Sequence, residues 1–266
     1  MLTFTCNTYI VQMKNKCIII ILLLLLFSCN ENKYGEPNTD FTKIEKSFLD
    51  WWNYHNKNIF ISGNFIPLDE ASNIISKQAF IKLIASGNYI ALKLNSNDAQ
   101  NYYRLFKLDK YADPEISDVI MQSAETEYEH FKMEGKVFPH YNFTDLNGNS
   151  YNSNNLKNKT VVLKCWYIRC QQCVAEIPQL NGLVKEYENQ KNVVFLSLAS
   201  DSSDDLHKFL AKKHFKYAVI PNQKKYFDEI LKITTYPTHY IIKNGIIVKV
   251  VNNAHELKLA LNELKT

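Results

Sequence analysis

TVVLKCWYIRCQQCVAEIPQLNGLVKEY, residues Thr160 to Tyr187, joins a buried-looking strand to an amphipathic helix through two cysteines two residues apart. Val161, Val162 and Leu163 form the β-branched and aliphatic strand. Val174, Ile177, Leu180, Leu183, Val184 and Tyr187 then recur at helical spacing, which predicts one long helix after the cysteines. Cys170 therefore falls where a helix begins.

The unpaired amides and the macrodipole at a helix N-terminus stabilise a thiolate over a thiol. Cys170 is accordingly expected to be the acidic, attacking sulfur. Cys173, one turn further in, is placed to attack a mixed disulfide formed on Cys170 and release the partner. The pair reads as a two-electron switch.

Working outward, the chain has 266 residues, a formal charge of +4 and 46% hydrophobic residues, enough for ordinary cores and for two of them. The small excess of charge and the scattered lysines argue against a nucleic-acid partner. Lys14 and Lys16 precede an unbroken apolar run, Ile18 to Phe27, that is shorter than the ~20 residues a spanning helix needs and suits the core of a signal peptide. The run ends in Leu26-Phe27-Ser28-Cys29, which resembles a bacterial lipobox, with Phe27 where a small residue is commoner. The expectation is a signal peptide over 1–28 and a lipid on Cys29. Met13 is a better signal start than Met1.

Export changes the arithmetic of the six cysteines. Cys6 and Cys17 leave with the signal, Cys29 carries lipid, and Cys165, Cys170 and Cys173 remain. So few thiols do not make a disulfide scaffold. A structural zinc site needs four Cys or His ligands, and no second CxxC or close His pair accompanies this one, so no metal is expected.

Residues 29–39 are polar, with Gly35 and Pro37, and read as a lipidated tether. Residues 40–135 read as a separate unit of unknown role, mixed α+β or mainly helical. Ser76 is placed to cap a helix through Ile84, Tyr89 to Leu94 alternates like a strand, and Pro114 to Glu134 has helical spacing closed by Gly135. From 136 to 266 the order is β-hairpin, βα, βα, ββα. The first hairpin turns at Asn147-Gly148, a pair that supplies the positive φ angles of a tight turn. Val193 to Leu198 is a central parallel strand. Ser203 or Asp204 caps a helix, Tyr217 to Ile220 is a strand and Gln223 to Leu231 a helix. Thr238 to Lys243 and Ile246 to Val251 form a hairpin, and Ala254 to Leu264 is a closing helix.

This order, with a CxxC at the first βα junction, resembles the thioredoxin fold and in particular the TlpA/ResA-like thiol-disulfide oxidoreductases of the bacterial envelope. The resemblance covers about 137–266. Trp166, the CQQC pair, Glu176 closely followed by Pro178, Tyr236-Pro237 and Asn244-Gly245 match that family's tryptophan, redox pair, C-x-x-C-x-x-E-x-P pattern, cis-proline loop and last turn. The resemblance implies an enzyme that needs no external cofactor beyond the redox-active disulfide Cys170–Cys173. Its partners would be a disulfide-bearing envelope protein, such as apocytochrome c, and a membrane thiol relay that donates electrons. It implies a periplasm-facing, lipid-anchored location.

Each matched residue then has a job. Pro237 would present a cis peptide beside Cys170, leaving backbone free to pair with an extended substrate. Glu176 would move the proton of the second sulfur during exchange. Trp166 either packs beneath the active-site loop as core or faces substrate, and is counted with Arg169, Tyr236 and Pro237 as substrate-binding. Arg169 stands where a tryptophan is often found and either favours thiolate or acidic substrates or is a solvated loop charge. Lys164 occupies a strand position where thioredoxin carries a buried acid. It either pairs with Glu176, modulating the pKa values of the site, or snorkels to solvent. Cys165 points to the other face of the strand as a small core residue. Tyr236 is bulkier than the usual threonine and alters the substrate groove.

Two other classes compete. A peroxidase of the peroxiredoxin type needs P-x-x-x-T-x-x-C, where this chain has Leu163 and Tyr167. A Sco-like copper carrier uses C-x-x-x-C and a distant histidine, for which His239 is the one candidate.

Overall fold

The computed structural model of the protein describes residues 34–265. The expected signal peptide and the lipidation site Cys29 lie outside the described residues.

The N-terminal region is mixed α+β, the first of the two expected alternatives. Short helix α1 (Phe41–Ile44) leads to α2 (Phe48–Asn58), whose N-cap Ser47 accepts from the Asp50 amide at 3.2 Å. Helix α3 (Lys77–Ala85) is capped by Ser76 as the sequence predicts, and α4 (Pro114–Met133) begins with proline in its first turn. Between them β1 (Ile66–Leu68), β2 (Tyr89–Lys93) and β3 (Tyr102–Lys107) form a sheet of order β1-β3-β2. Trp51, Phe80, Ile84, Leu92, Leu105 and Ile120 belong to the core that binds helices to sheet.

The chain then builds a hairpin of β4 (Asn142–Thr144) and β5 (Ser150–Asn152), followed by the central strand β6 (Thr160–Trp166). Helices α5 (Gln171–Ala175) and α6 (Ile177–Glu186) lead to β7 (Val193–Ala199), α7 (Ser203–Leu210) and β8 (Ala218–Ile220). The hairpin β9 (Thr238–Lys243) and β10 (Ile246–Val251) and helix α8 (Ala254–Glu263) complete it. The five-stranded sheet has the order β10-β9-β6-β7-β8, with β6 parallel to β7 and antiparallel to β9. Because side chains alternate along β6, Val162 and Trp166 enter the core under α6 and α8. Val161, Leu163 and Cys165 enter the core on the opposite face. Lys164 lies on the same face as Val162 and Trp166.

Four local expectations are corrected. The long helix after the cysteines is two helices, broken at Glu176, because Pro178 has no N–H to continue the ladder and its ring crowds the preceding turn. At Asn147-Gly148 only Gly148 has positive φ (82°). The Asp145 carboxylate holds the turn instead, accepting from the amides of Asn147 and Asn149 at 2.9 and 2.8 Å. The cap of α7 is Ser202, one residue before the pair expected. Residues Tyr226–Leu231 wind as a π-helical segment that ends on Lys232 in the left-handed region. The Asn244-Gly245 turn is as expected, both residues having positive φ.

The two regions touch along β10. Gly135 and Phe138 donate backbone hydrogen bonds to Ile247 and Gly245, and Ile247 donates back to Lys136, so the chain leaving α4 covers that sheet edge. Asn252 reaches the Glu127 carboxylate on α4 at 2.6 Å, and the Asn64 amide donates to Glu263 at 2.9 Å.

Candidate active site

Strand β6 ends at Trp166, and the chain turns through Tyr167, Ile168 and Arg169 to reach α5. Cys170 is the N-cap of that helix, its Sγ accepting from the Cys173 amide at 3.1 Å, and it forms a disulfide with Cys173. The cap position supplies the free amides that the sequence argument requires. Cys170 is 7% exposed and Cys173 fully buried, so the outer sulfur is the approachable one. Ile168 donates to the Asp201 carboxylate at 2.8 Å, which ties the loop to the end of β7. Arg169 is exposed next to Cys170.

The break at Glu176 turns its side chain inward, where it meets a polar cluster built on the sheet. Lys164 and His239 are cross-strand partners on β6 and β9, and both are fully buried. The Lys164 ammonium forms an ion pair with Glu176 Oε1 and donates to the Cys173 carbonyl at 3.0 Å. His239 Nε2 stands 2.9 Å from the same Oε1, and the amide of Ala254, which opens α8, donates to Oε2 at 2.9 Å. Lys164 is therefore paired with Glu176 and does not snorkel. The apolar stem crosses the core while its charged head finds a carboxylate and a carbonyl, as a buried ammonium requires.

Burial pushes the Glu176 carboxyl up, but the His239 hydrogen bond and the Lys164 charge outweigh it and hold the pKa below the usual carboxylate range. Lys164 is also lowered, because loss of hydration outweighs the pull of Glu176. Burial likewise lowers His239, so its neutral ring donates through Nε2 while Nδ1 has no partner. His239, in the sequence the candidate histidine of a copper carrier, is engaged with Glu176, and its place opposite Lys164 in the sheet register is a signal that residue spacing alone could not supply.

Trp166 requires a correction as a substrate contact. It has no exposed surface, its ring packs on Phe209 and Phe215 at 5.6 and 5.8 Å between centroids, and its Nε1 donates to Ser197 at 2.5 Å. It lies beneath the loop because β6 directs it into the same core as Val162. Cys165 is buried on the other face, where burial pushes its thiol far up. The Tyr236–Pro237 bond is cis. Tyr236 meets the ring of Tyr167 edge-on at 5.2 Å, so the proline loop packs against the CxxC loop. Gln172, between the two cysteines, and Thr235, Tyr236 and Pro237 line one cavity.

The strand order, a disulfide at the first βα junction and a cis-proline loop beside it make this a thioredoxin-fold redox protein. Residues 134–250 match the AhpC/TSA family. The chain is 30% identical over 121 residues to the thiol-disulfide oxidoreductase ResA of Bacillus thuringiensis subsp. konkukian, covering 44% of this chain and 69% of that protein. It is 28% identical over 116 residues to the thioredoxin-like protein YneN of Bacillus subtilis, covering 43% and 68%. It resembles the solved thioredoxin domain of a thiol-disulfide oxidoreductase from Bacteroides vulgatus with a TM-score of 0.45 and 22% identity, over 50% of this chain and 98% of that one. The chain belongs to the ResA family of thiol-disulfide oxidoreductases.

Proposed function

We propose that this protein reduces protein disulfides in the bacterial envelope, with Cys170 as nucleophile and Cys173 as resolving thiol. The observation that carries the proposal is the placement of the pair, one sulfur at the helix cap and slightly exposed, the other buried one turn further in. In the reduced protein the Cys170 thiolate attacks one sulfur of the substrate disulfide, forming a mixed disulfide and expelling the other sulfur as a thiolate. Cys173, having lost its proton, attacks Cys170 Sγ. The Cys170–Cys173 bond forms, the substrate leaves as a dithiol, and two electrons have passed to it. A membrane thiol relay of the kind the family uses restores the dithiol.

Glu176 takes the proton of Cys173 in this scheme, and Lys164 and His239 hold its carboxylate in place. Arg169, Tyr236 and Pro237 form the substrate-facing rim. Residues 1–28 are a signal peptide and 29–39 a tether lipidated at Cys29 on the periplasmic side of a membrane. Residues 40–135 are an accessory domain and 136–266 the redox domain. ResA-like relatives support a disulfide-bearing partner, and apocytochrome c is one candidate.

The test is to capture partners. Cys173→Ala should stall the mixed disulfide on Cys170 and retain an envelope protein through a bond that dithiothreitol releases, while Cys170→Ala should retain none. Failure of the wild type to reduce any protein disulfide overturns the proposal. The AhpC/TSA match favours a second reading, a thiol peroxidase, which Leu163 and Tyr167 at the proline and threonine positions disfavour. Consumption of hydrogen peroxide at a rate exceeding disulfide reduction would establish it. For the anchor, Cys29→Ser should abolish membrane retention and leave reductase activity intact.

A further inference from the structure

The cavity of about 420 Å³ lined on one side by Gln172, Tyr236 and Pro237 has its other wall in the N-terminal region. That wall is largely apolar: Trp52, Ile59, Ile61, Ile81, Ile84 and Ile120. It becomes acidic where Glu127 of α4 faces Glu256 of α8. Asn252 donates to Glu127 at 2.6 Å, and the Asn252 amide donates to Glu256 at 3.0 Å. Among the described residues neither carboxylate has a cation within ion-pair distance. Two further lining atoms, one from each side, are shielded from water and have no hydrogen-bond partner: His55 Nδ1 and Thr235 Oγ1. Buried polar atoms are seldom left unpaired, so these point to a ligand that brings partners for them.

The chemistry of that ligand follows from the wall. His55 Nδ1 and Thr235 Oγ1 can each accept, and Asn252 takes one oxygen of each carboxyl and leaves the other, so the wall has acceptors for a head group rich in donors. Burial holds His55 neutral, its pKa pushed down to about 4, so the ring adds no positive charge and Nδ1 accepts in the tautomer that carries its proton on Nε2. Burial and the Glu256 charge push the Glu127 carboxyl up to about 8 against the pull of Lys77, so near neutral pH it holds a proton that an incoming cation would displace. The isoleucines and Trp52 fit an aliphatic stem, and the exposed Trp52 ring can face a cation.

We infer that the cleft between the N-terminal region and the CxxC loop is a specificity subsite that takes a lysine or arginine side chain lying next to the cysteine of a substrate polypeptide. The inference rests on the proposed reductase activity and gives the N-terminal region a part in choosing the substrate. Gln172, between the two cysteines, and the cis-proline loop line the same cavity, which puts the bound side chain beside the CxxC loop.

The test uses the full-length protein and three cyclic disulfide peptides identical except for lysine, leucine or glutamate beside one cysteine, with a small aromatic disulfide as reference. The expected result is a kcat/KM for the lysine peptide about tenfold above that for leucine, the size of one hydrogen bond to a charged group, with glutamate lowest. Most of the difference should lie in KM. In Glu127→Gln and Glu256→Gln the lysine-to-leucine ratio should fall towards one, and the ratio is read within each variant, so a change in overall activity does not disguise it. Equal rates for the three peptides, or leucine ahead of lysine, overturn the subsite even if the variants fail to fold. A wild type that reduces neither the peptides nor the reference disulfide overturns the reductase reading itself.

Discussion

Lys164 and His239 stand opposite each other in the β6–β9 register and end on the same oxygen of Glu176. An ammonium and a neutral imidazole from adjacent strands thus hold one carboxylate, and the ammonium also holds the Cys173 carbonyl. The arrangement couples the backbone of the second cysteine to a charge on the next turn of chain. Stability and chemistry should therefore respond together when any of the three is changed.

Glu176→Gln removes the charge that compensates buried Lys164. Loss of one partner of a buried pair costs about 3 kcal/mol, because the remaining ion is left without its counter-charge. Urea unfolding of the oxidised protein should show a midpoint shift of that size with an unchanged slope. In the reduced protein, resolution of the mixed disulfide should slow while its formation does not. An unshifted midpoint would mean that Lys164 is neutral in the folded protein.

Lys164→Met tests the same contact from the other side. Without the cation, Glu176 should titrate higher, and the thiolates of the reduced pair should form at higher pH. The double variant should be less destabilised than the sum of the singles, since each single strands a partner that the double removes. Thiolate absorbance against pH, with unfolding curves for all four proteins, gives the coupling. A thiol pKa that falls on losing Lys164 would contradict the assignment.

Brief treatment of the reduced protein with iodoacetamide near neutral pH should label Cys170 alone. Cys173 has no exposed surface, and Cys165 is fully buried with its thiol pushed far up by that burial. Peptide mapping by mass spectrometry reads the result. Equal labelling of Cys173 would reverse the assigned order of attack.

The parts of this fold written in local pattern were legible in the sequence. The β9–β10 hairpin has the expected strand ends because Asn244-Gly245 dictates the turn, and Ser76 and Pro114 mark their helices through capping chemistry. The pairing of Lys164 with Glu176 was one of two alternatives the strand period left open. What escaped was set by tertiary contact. The Ala254 amide reaches Glu176 from 78 residues away, and His239 needed the strand register to be placed. The helix break at Glu176 was signalled by Pro178, but the periodic apolar positions on both sides concealed it. The cleft beside Gln172 depends on how α2, α3 and α4 meet the redox domain, which no local pattern records.

Acid should unfold the protein partly through Glu176. Its folded pKa lies below the ordinary 4.5, so the unfolded chain binds the proton more readily. The stabilisation is fully present above about 4.5 and is lost as pH falls through the folded value. His239 is also lowered, from 6.5, and burial pushes His55 and His130 down to about 4. These histidines bind protons on unfolding, so they too erode stability, beginning below about pH 6.5. The Glu176 part is isolated by subtraction. The difference in unfolding free energy between wild type and Glu176→Gln should stay level from pH 8 to about 5 and shrink below about 4.5, while each protein separately declines through the histidine window. Unfolding by urea at fixed ionic strength across that range supplies both curves. A difference that instead grows on acidification would mean that the carboxyl is protonated in the folded protein and that Lys164 and His239 do not hold its charge.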